Sequence, residues 1–197
     1  MEEYQKESIR SELRNLKNHL DPHFLFNNLN ILSSLIDKGP EPSKEFLTRF
    51  AKVYRKMLQS SSEDLVPLFE ELDFIEAYIY LLKTRFADAV KIDMKIDPEA
   101  ETMMLPPLTM QMLLENAVKH NVASEEVPLN IEIHANKEIL SVSNNVNKKL
   151  EDERTKSGTG LKNIQDRIAY FTQEKIQMDQ SDDHFKVTVP LIEIEEV

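Results

Sequence analysis

Only three glycines, Gly39, Gly158 and Gly160, occur among 197 residues, so the backbone can adopt left-handed or closely approached conformations at very few places. Two of the three sit together in the segment SGTG. The glycine spacings of a dinucleotide-binding turn or a P-loop occur nowhere, which excludes both of those nucleotide folds. Cysteine is absent, which removes disulfide scaffolds, thiolate metal sites and cysteine nucleophiles. The 24 Lys and Arg against 35 Asp and Glu give a net charge of −11, which repels nucleic-acid phosphates and anionic lipid unless a local basic patch intervenes. No run approaches the ~20 apolar residues of a membrane span, and the N-terminus MEEYQKESIR is charged where a signal peptide is apolar. A cytoplasmic chain without direct nucleic-acid contact is expected.

From Glu3 to about Ile36, Leu13, Leu16, Leu20, Phe24, Leu25, Leu29, Leu32 and Ile36 keep helical spacing. At ~1.5 Å per residue this helix runs on the order of 50 Å, too long for a small domain to cover alone. Lys38 to Ser43 (KGPEPS) reads as a turn, and Glu45 to Gln59 as a second helix with Phe46, Leu47, Phe50, Val53, Tyr54, Met57 and Leu58 on its apolar side. A short connection makes the two helices antiparallel, half of a four-helix bundle that a second copy of the chain would complete. A third helix spans about Leu68 to Phe86, and alternation in KIDMKID marks a half-buried strand. Next come a helix from Pro106 to His120, strands near 129–134 and 139–143, and a polar loop from Asn144 to Gly158. A helix from Thr159 to Phe171 and strands near 175–178 and 185–191 complete the order. The class is α+β: a helical hairpin (1–64), a connecting helix (65–89) and a two-layer α/β sandwich (90–197).

HLDPHFLFNNLN, His19 to Asn30, is the densest chemical signal. Pro22 lies inside the helical pattern, where the lost bond to the Asn18 carbonyl costs ~3 kcal/mol and kinks the helix just before His23. Helical spacing puts His19, His23, Asn27, Asn30 and Ser34 on one face. A neutral imidazole has a pKa near ~6.5 and offers a free ring nitrogen to a phosphoryl group. Asn27, one turn on, is placed to orient a water for the reverse reaction. A solvated polar face is the plain alternative, and an i, i+4 zinc or nickel pair of His19 and His23 lacks further ligands.

In PPLTMQMLLENAVKHN, Met112, Asn116 and His120 form an i, i+4, i+8 stripe, so an amide interrupts a core-facing line. Burying it costs ~1–3 kcal/mol unless it finds partners, and phosphate oxygens or a hydrated magnesium ion suit it. Glu115 and Lys119 share an i, i+4 relation that also fits a surface ion pair. Between Asn144 and Arg167 the charge is 6 − 4 = +2, from Lys148, Lys149, Arg154, Lys156, Lys162 and Arg167 against Glu151, Asp152, Glu153 and Asp166. SGTG then opens a helix whose N–H groups and dipole can face a polyphosphate. An ordinary solvated loop fits the same residues.

In this order the three segments resemble the LytS-type sensor histidine kinases, whose ATP-binding domain has the GHKL fold. PHFLFNNLN is similar to the family's phosphoacceptor motif, LLENAVKHN to its N box, SGTGLKNIQDRI to its G2 box, and VPLFEELDFIEAYIYLLKTRF to the helix joining the two parts. The resemblance implies that His23 accepts the γ-phosphoryl group of ATP, that Asn116 ligates Mg²⁺, and that Glu115 is the acid beside the metal. It implies that Lys119, His120 and Asn121 line the phosphates, that Asn144 meets the adenine, and that Gly158 and Gly160, followed by Leu161 and Asn163, let a lid close. It further implies a homodimer, a response-regulator partner, often LytTR-type, and attachment to a membrane only through a sensor region outside this chain.

The sequence departs from the family at His19 and Asp21, where Gln and Asn are usual, and at Asn144, Asn145 and Val146, where the G1 box has Asp and, two residues on, Gly. A carboxamide accepts the adenine amino group less strongly than a carboxylate. The alternative function is a degenerate kinase that serves as a dimeric docking scaffold or as a phosphatase for a regulator.

Overall fold

The computed structural model describes residues 22–59, 63–147 and 159–194. The chain forms two compact units, Met1–Ser62 and Glu63–Val197.

In the first unit, α1 (Pro22–Ile36) and α2 (Pro40–Gln59) make a hairpin. Gly39 turns the chain at φ 135°, where any side chain is strained, and its N–H donates to the Leu35 carbonyl (3.2 Å). The helix α2 starts at Pro40, not at Glu45. Proline suits a first helical position because the N–H it lacks has no partner there, and Ser43 Oγ closes the turn on the Gly39 carbonyl (2.8 Å). Phe46, Val53 and Met57 are buried, and Phe50 stacks on Phe46 (6.4 Å) and on Phe24 of α1 (6.3 Å). The apolar residues do not all share this core. Phe26 (64% exposed), Leu29 and Ile36 (63%) on α1, with Leu47 and Leu58 on α2, are open to solvent. The expected kink before Pro22 and the helix N-terminal to it fall outside the described residues.

The second unit opens on a two-stranded ribbon, β1 (Val66–Pro67) against β3 (Met104–Leu105), with α3 (Leu68–Phe86) leaving directly from β1. A five-stranded sheet follows: β2 (Val90–Ile96), β4 (Leu129–Ala135), β5 (Ile139–Asn145), β6 (Gln177–Gln180) and β7 (His184–Pro190). Its order is β2-β4-β5-β7-β6, parallel between β2 and β4 and antiparallel elsewhere. Alternation along β4 sends Leu129, Ile131, Ile133 and Ala135 inward and leaves Asn130, Glu132 and His134 exposed. The register continues the polar side as a row: Lys95 pairs with His134, His134 with Ser141, and Ser141 with Thr188.

The inward side packs under helices. α3 lies on β2, while α4 (Thr109–His120) lies on β4 and β5 and also touches α3 and α5 (Thr159–Ile168). Met110 and Leu114 of α4, Ile131 and Ile133 of β4, and Ile164 of α5 are fully buried, each contributing about 1.5–3 kcal/mol. The expected α+β class, a helical hairpin followed by a two-layer α/β sandwich, is what the chain adopts. Several boundaries differ. α4 begins at Thr109 after both prolines, β5 continues through Asn145, and α5 stops at Ile168. There the Phe171 N–H bonds the Ile168 carbonyl (2.9 Å) and tightens the last turn.

Candidate functional site

Glu115, Asn116, Lys119 and His120 ride on α4, Asn121 follows its last residue, and both ends of the helix are anchored by side chains. The first N–H groups of a helix have no partner within it. Here the wholly buried carboxylate of Glu71, on α3, accepts from Leu108 N–H (2.8 Å) at one oxygen and from Met110 N–H (3.1 Å) at the other. Leu108 itself is left-handed at φ 66°, a conformation that costs about 1–2 kcal/mol without glycine. At the other end, Asn121 is buried. Its Nδ2 donates to the Ala117 carbonyl (2.8 Å) and its Oδ1 accepts from Asn147 N–H (2.7 Å). The Asn121 amide thus joins the end of α4 to the exit of β5.

Along α4, Leu113, Leu114 and Ala117 are buried, Met112 and Asn116 are half-buried, and Glu115, Lys119 and His120 are exposed. Asn116 thus stands at the rim of the core, not within it as the stripe suggested. Its amide carries no full desolvation cost and is open to a ligand. Gln111 Nε2 donates to Glu115 Oε2 (2.6 Å) and holds that carboxylate beside the helix.

Asn144, only 4% exposed, alternates with Ser143 and so shares the helix-facing side of β5 with Leu140 and Val142. Its Nδ2 donates to the Asn145 carbonyl (2.7 Å), which leaves Oδ1 as the accepting atom. Asn145 locks the strand end to its neighbour, accepting from Asn130 N–H (2.7 Å) and donating to the Pro128 carbonyl (3.0 Å). The Asn147 carbonyl accepts from Val122 N–H (2.8 Å), so Asn147 is held to the end of α4 through both its N–H and its carbonyl. Sequence reasoning missed Asn145 and Asn147. The asparagine-rich run Asn144, Asn145, Val146, Asn147 was the available signal, because such side chains bond nearby backbone.

Gly160 lies in the first turn of α5, and a Cβ there would meet nothing within 4 Å. Among the described residues, nothing crowds that point. Leu161 is half-buried and Asn163 exposed. Gly158, and Lys148, Lys149, Arg154 and Lys156 of the basic patch, lie outside the described residues. Lys162 is exposed, but Arg167 does not belong to a phosphate-facing patch. Its guanidinium donates to the Pro107 carbonyl (3.2 Å) and to the Glu63 carbonyl (3.1 Å). Burial pushes the Arg167 pKa down from its ordinary value, against the opposing pull of the Asp64 and Glu71 charges.

His23 is the second residue of α1, and its side chain falls outside the described residues, as do His19 and Asp21. Asn27 is half-buried, and Asn30 and Ser34 are exposed, so the polar face continues along α1. Asn28, which the spacing argument passed over, is buried and donates to the Phe24 carbonyl (2.8 Å). Among the described residues no three His, Asp or Glu side chains gather as a metal site, and no helix is long and apolar enough to cross a membrane.

Residues 11–90 match the family model described as histidine kinase. The sensor protein LytS of Bacillus subtilis (strain 168) is 36% identical over 110 residues, covering 56% of this chain and 18% of that protein. The sensor protein LytS of Staphylococcus saprophyticus is 29% identical over 205 residues, covering 94% of this chain and 35% of that protein. The sensor histidine kinase/phosphatase LytS of Staphylococcus aureus (strain MRSA252) is 29% identical over 128 residues, covering 65% of this chain and 22% of that protein. The chain spans about a fifth to a third of the length of these relatives.

Proposed function

Because the chain is a relative of the LytS-type sensor histidine kinases, we propose that it is the core of such a kinase. It binds Mg·ATP in its second unit, phosphorylates His23 and passes the phosphoryl group to an aspartate of a response regulator. The observation that carries this reading is that PHFLFNNLN lies inside residues 11–90, the stretch matched by the histidine kinase family model. The organisation proposed is a phosphoacceptor hairpin (1–64), a connecting helix (65–89) and an ATP-binding domain (90–197).

The chemistry follows from the residue types. A neutral His23 ring nitrogen attacks the γ-phosphorus, the bond to the ADP oxygen breaks, and the phosphorylated imidazole releases its remaining ring proton to water. Asn144 Oδ1 accepts from the adenine amino group. The Asn116 amide oxygen is a hard oxygen donor that would hold a hydrated Mg²⁺, with the Glu115 carboxylate beside that site. That ion, when bound, neutralises phosphate charge during transfer. Lys119 adds positive charge and His120 a ring N–H donor at the exposed end of α4, and Gly160 with Gly158 lets backbone N–H groups approach the phosphates. Leu161 anchors the helix behind them.

The exposed Phe26, Leu29, Ile36, Leu47 and Leu58 support a homodimer in which two hairpins bury these side chains as a four-helix bundle. ATP as phosphoryl donor places the core in the cytoplasm, with any membrane contact made by a sensor region outside this chain. A second reading, phosphatase action on a phosphorylated regulator, is favoured by the name of the Staphylococcus aureus relative and uses Asn27 to orient the attacking water.

Calorimetry with Mg²⁺ and a non-hydrolysable ATP analogue tests the nucleotide site. Binding in the native chain, weakened about tenfold or more in Asn116→Ala, is expected from loss of the metal's protein ligand. No binding at millimolar analogue would contradict the kinase reading and leave the phosphatase or docking role.

A further inference from the structure

Glu71 and Arg167 are used by no step of the phosphoryl transfer, yet together they bond four segments of the second unit. A wholly buried carboxylate is costly unless it is hydrogen-bonded and balanced by opposite charge. Glu71 has both. Its two oxygens cap the start of α4 through Leu108 and Met110, and the Arg167 guanidinium feels its charge. Arg167 in turn reaches from the last turn of α5 to the Pro107 carbonyl, one residue before the left-handed Leu108, and to the Glu63 carbonyl where the unit begins. The same strained corner, Pro107 to Met110, is thus held from α3 by a carboxylate and from α5 by a guanidinium. α4 carries Asn116 and α5 is the helix opened by Gly160, so the corner is bonded to both helices assigned to nucleotide.

We propose that Glu71 and Arg167 are a positioning pair that holds α4 and α5 in one mutual arrangement through the Pro107–Met110 corner, and so sets the affinity of the site for nucleotide. The inference rests on the kinase reading for its consequence but on hydrogen bonds alone for the coupling. The Arg167 guanidinium is held by two backbone carbonyls. Its loss should let the corner and α5 open together without altering the reacting groups.

The test uses the full chain and the variants Arg167→Gln and Glu71→Gln, with circular dichroism to establish that each is folded. NMR-detected amide exchange without nucleotide is the first arm. In Arg167→Gln, exchange is expected to rise about tenfold both at Leu108 and Met110 and across Thr159–Ile168, with β4 and β5 unchanged. A rise confined to α5 would overturn the coupling. If Arg167→Gln does not fold, Glu71→Gln carries the same two-helix expectation, because one of its two acceptors becomes a donor. Autophosphorylation kinetics are the second arm: KM for ATP should rise about tenfold in the folded variant with kcat within about twofold. Unchanged KM, or equal loss in kcat and KM, would overturn the positioning role. A native chain that takes no label from ATP would contradict the proposed function instead, and the exchange arm would still decide whether the pair couples the helices.

Discussion

At Asn144 a single atom carries the expected adenine contact, since Nδ2 is committed to the Asn145 carbonyl and only Oδ1 remains to accept. Asn144→Ala should weaken adenosine and ATP-analogue binding about three- to tenfold, the scale of one hydrogen bond, while leaving tripolyphosphate binding unchanged. Competition calorimetry with both ligands checks this, and equal losses would show that the residue acts through the fold. Asn121 makes the opposite kind of contribution. Asn121→Ala removes the acceptor of the part-buried Asn147 N–H and the bond to Ala117, so it should cost about 1–3 kcal/mol in urea unfolding. Neither difference was legible from spacing. The two asparagines look alike in sequence and part only when the neighbouring strand and helix end are brought together. Glu71 is the sharper case: within FEELD it reads as a solvated first-turn acid, and only the tertiary approach of α4 turns it into a cap.

The helices and strands themselves were mostly legible, because apolar periodicity reports which side is covered. α3 and the alternation of β2 and β4 follow the sequence closely. The boundaries that shifted did so for local reasons: Pro40 opens α2 earlier than the turn-like KGPEPS suggested, and Leu108 delays α4 past its prolines. On the hairpin, periodicity gave the apolar residues but not how they divide. Phe46 and Val53 face the hairpin core, whereas Phe26 and Leu47 face solvent. Replacing both exposed residues, Phe26→Glu with Leu47→Glu, should therefore convert a dimer into a monomer with little loss of helix, read by light scattering and circular dichroism. A double variant that remained dimeric would place the subunit contact elsewhere.

The chain as a whole divides at residue 62, and the second unit encloses its own sheet, its own helices and every residue assigned to nucleotide except the phosphoacceptor. Its core includes Leu114, Ile131, Ile133, Leu140 and Ile164. Residues 63–197 expressed alone should unfold cooperatively and bind the ATP analogue within about threefold of the full chain, since stability follows the buried area retained. That fragment should carry no label, because His23 is not in it. The division of labour between the units leads to the most direct measurement of the account. The full chain is incubated with γ-labelled ATP and Mg²⁺, and the incorporated phosphate is tested for acid lability, alkali stability and dependence on His23. The account predicts label with all three properties in the native chain and none in His23→Gln, whose analogue affinity stays within about twofold. Label that survives His23→Gln, or none in a native chain that binds the analogue, would contradict it.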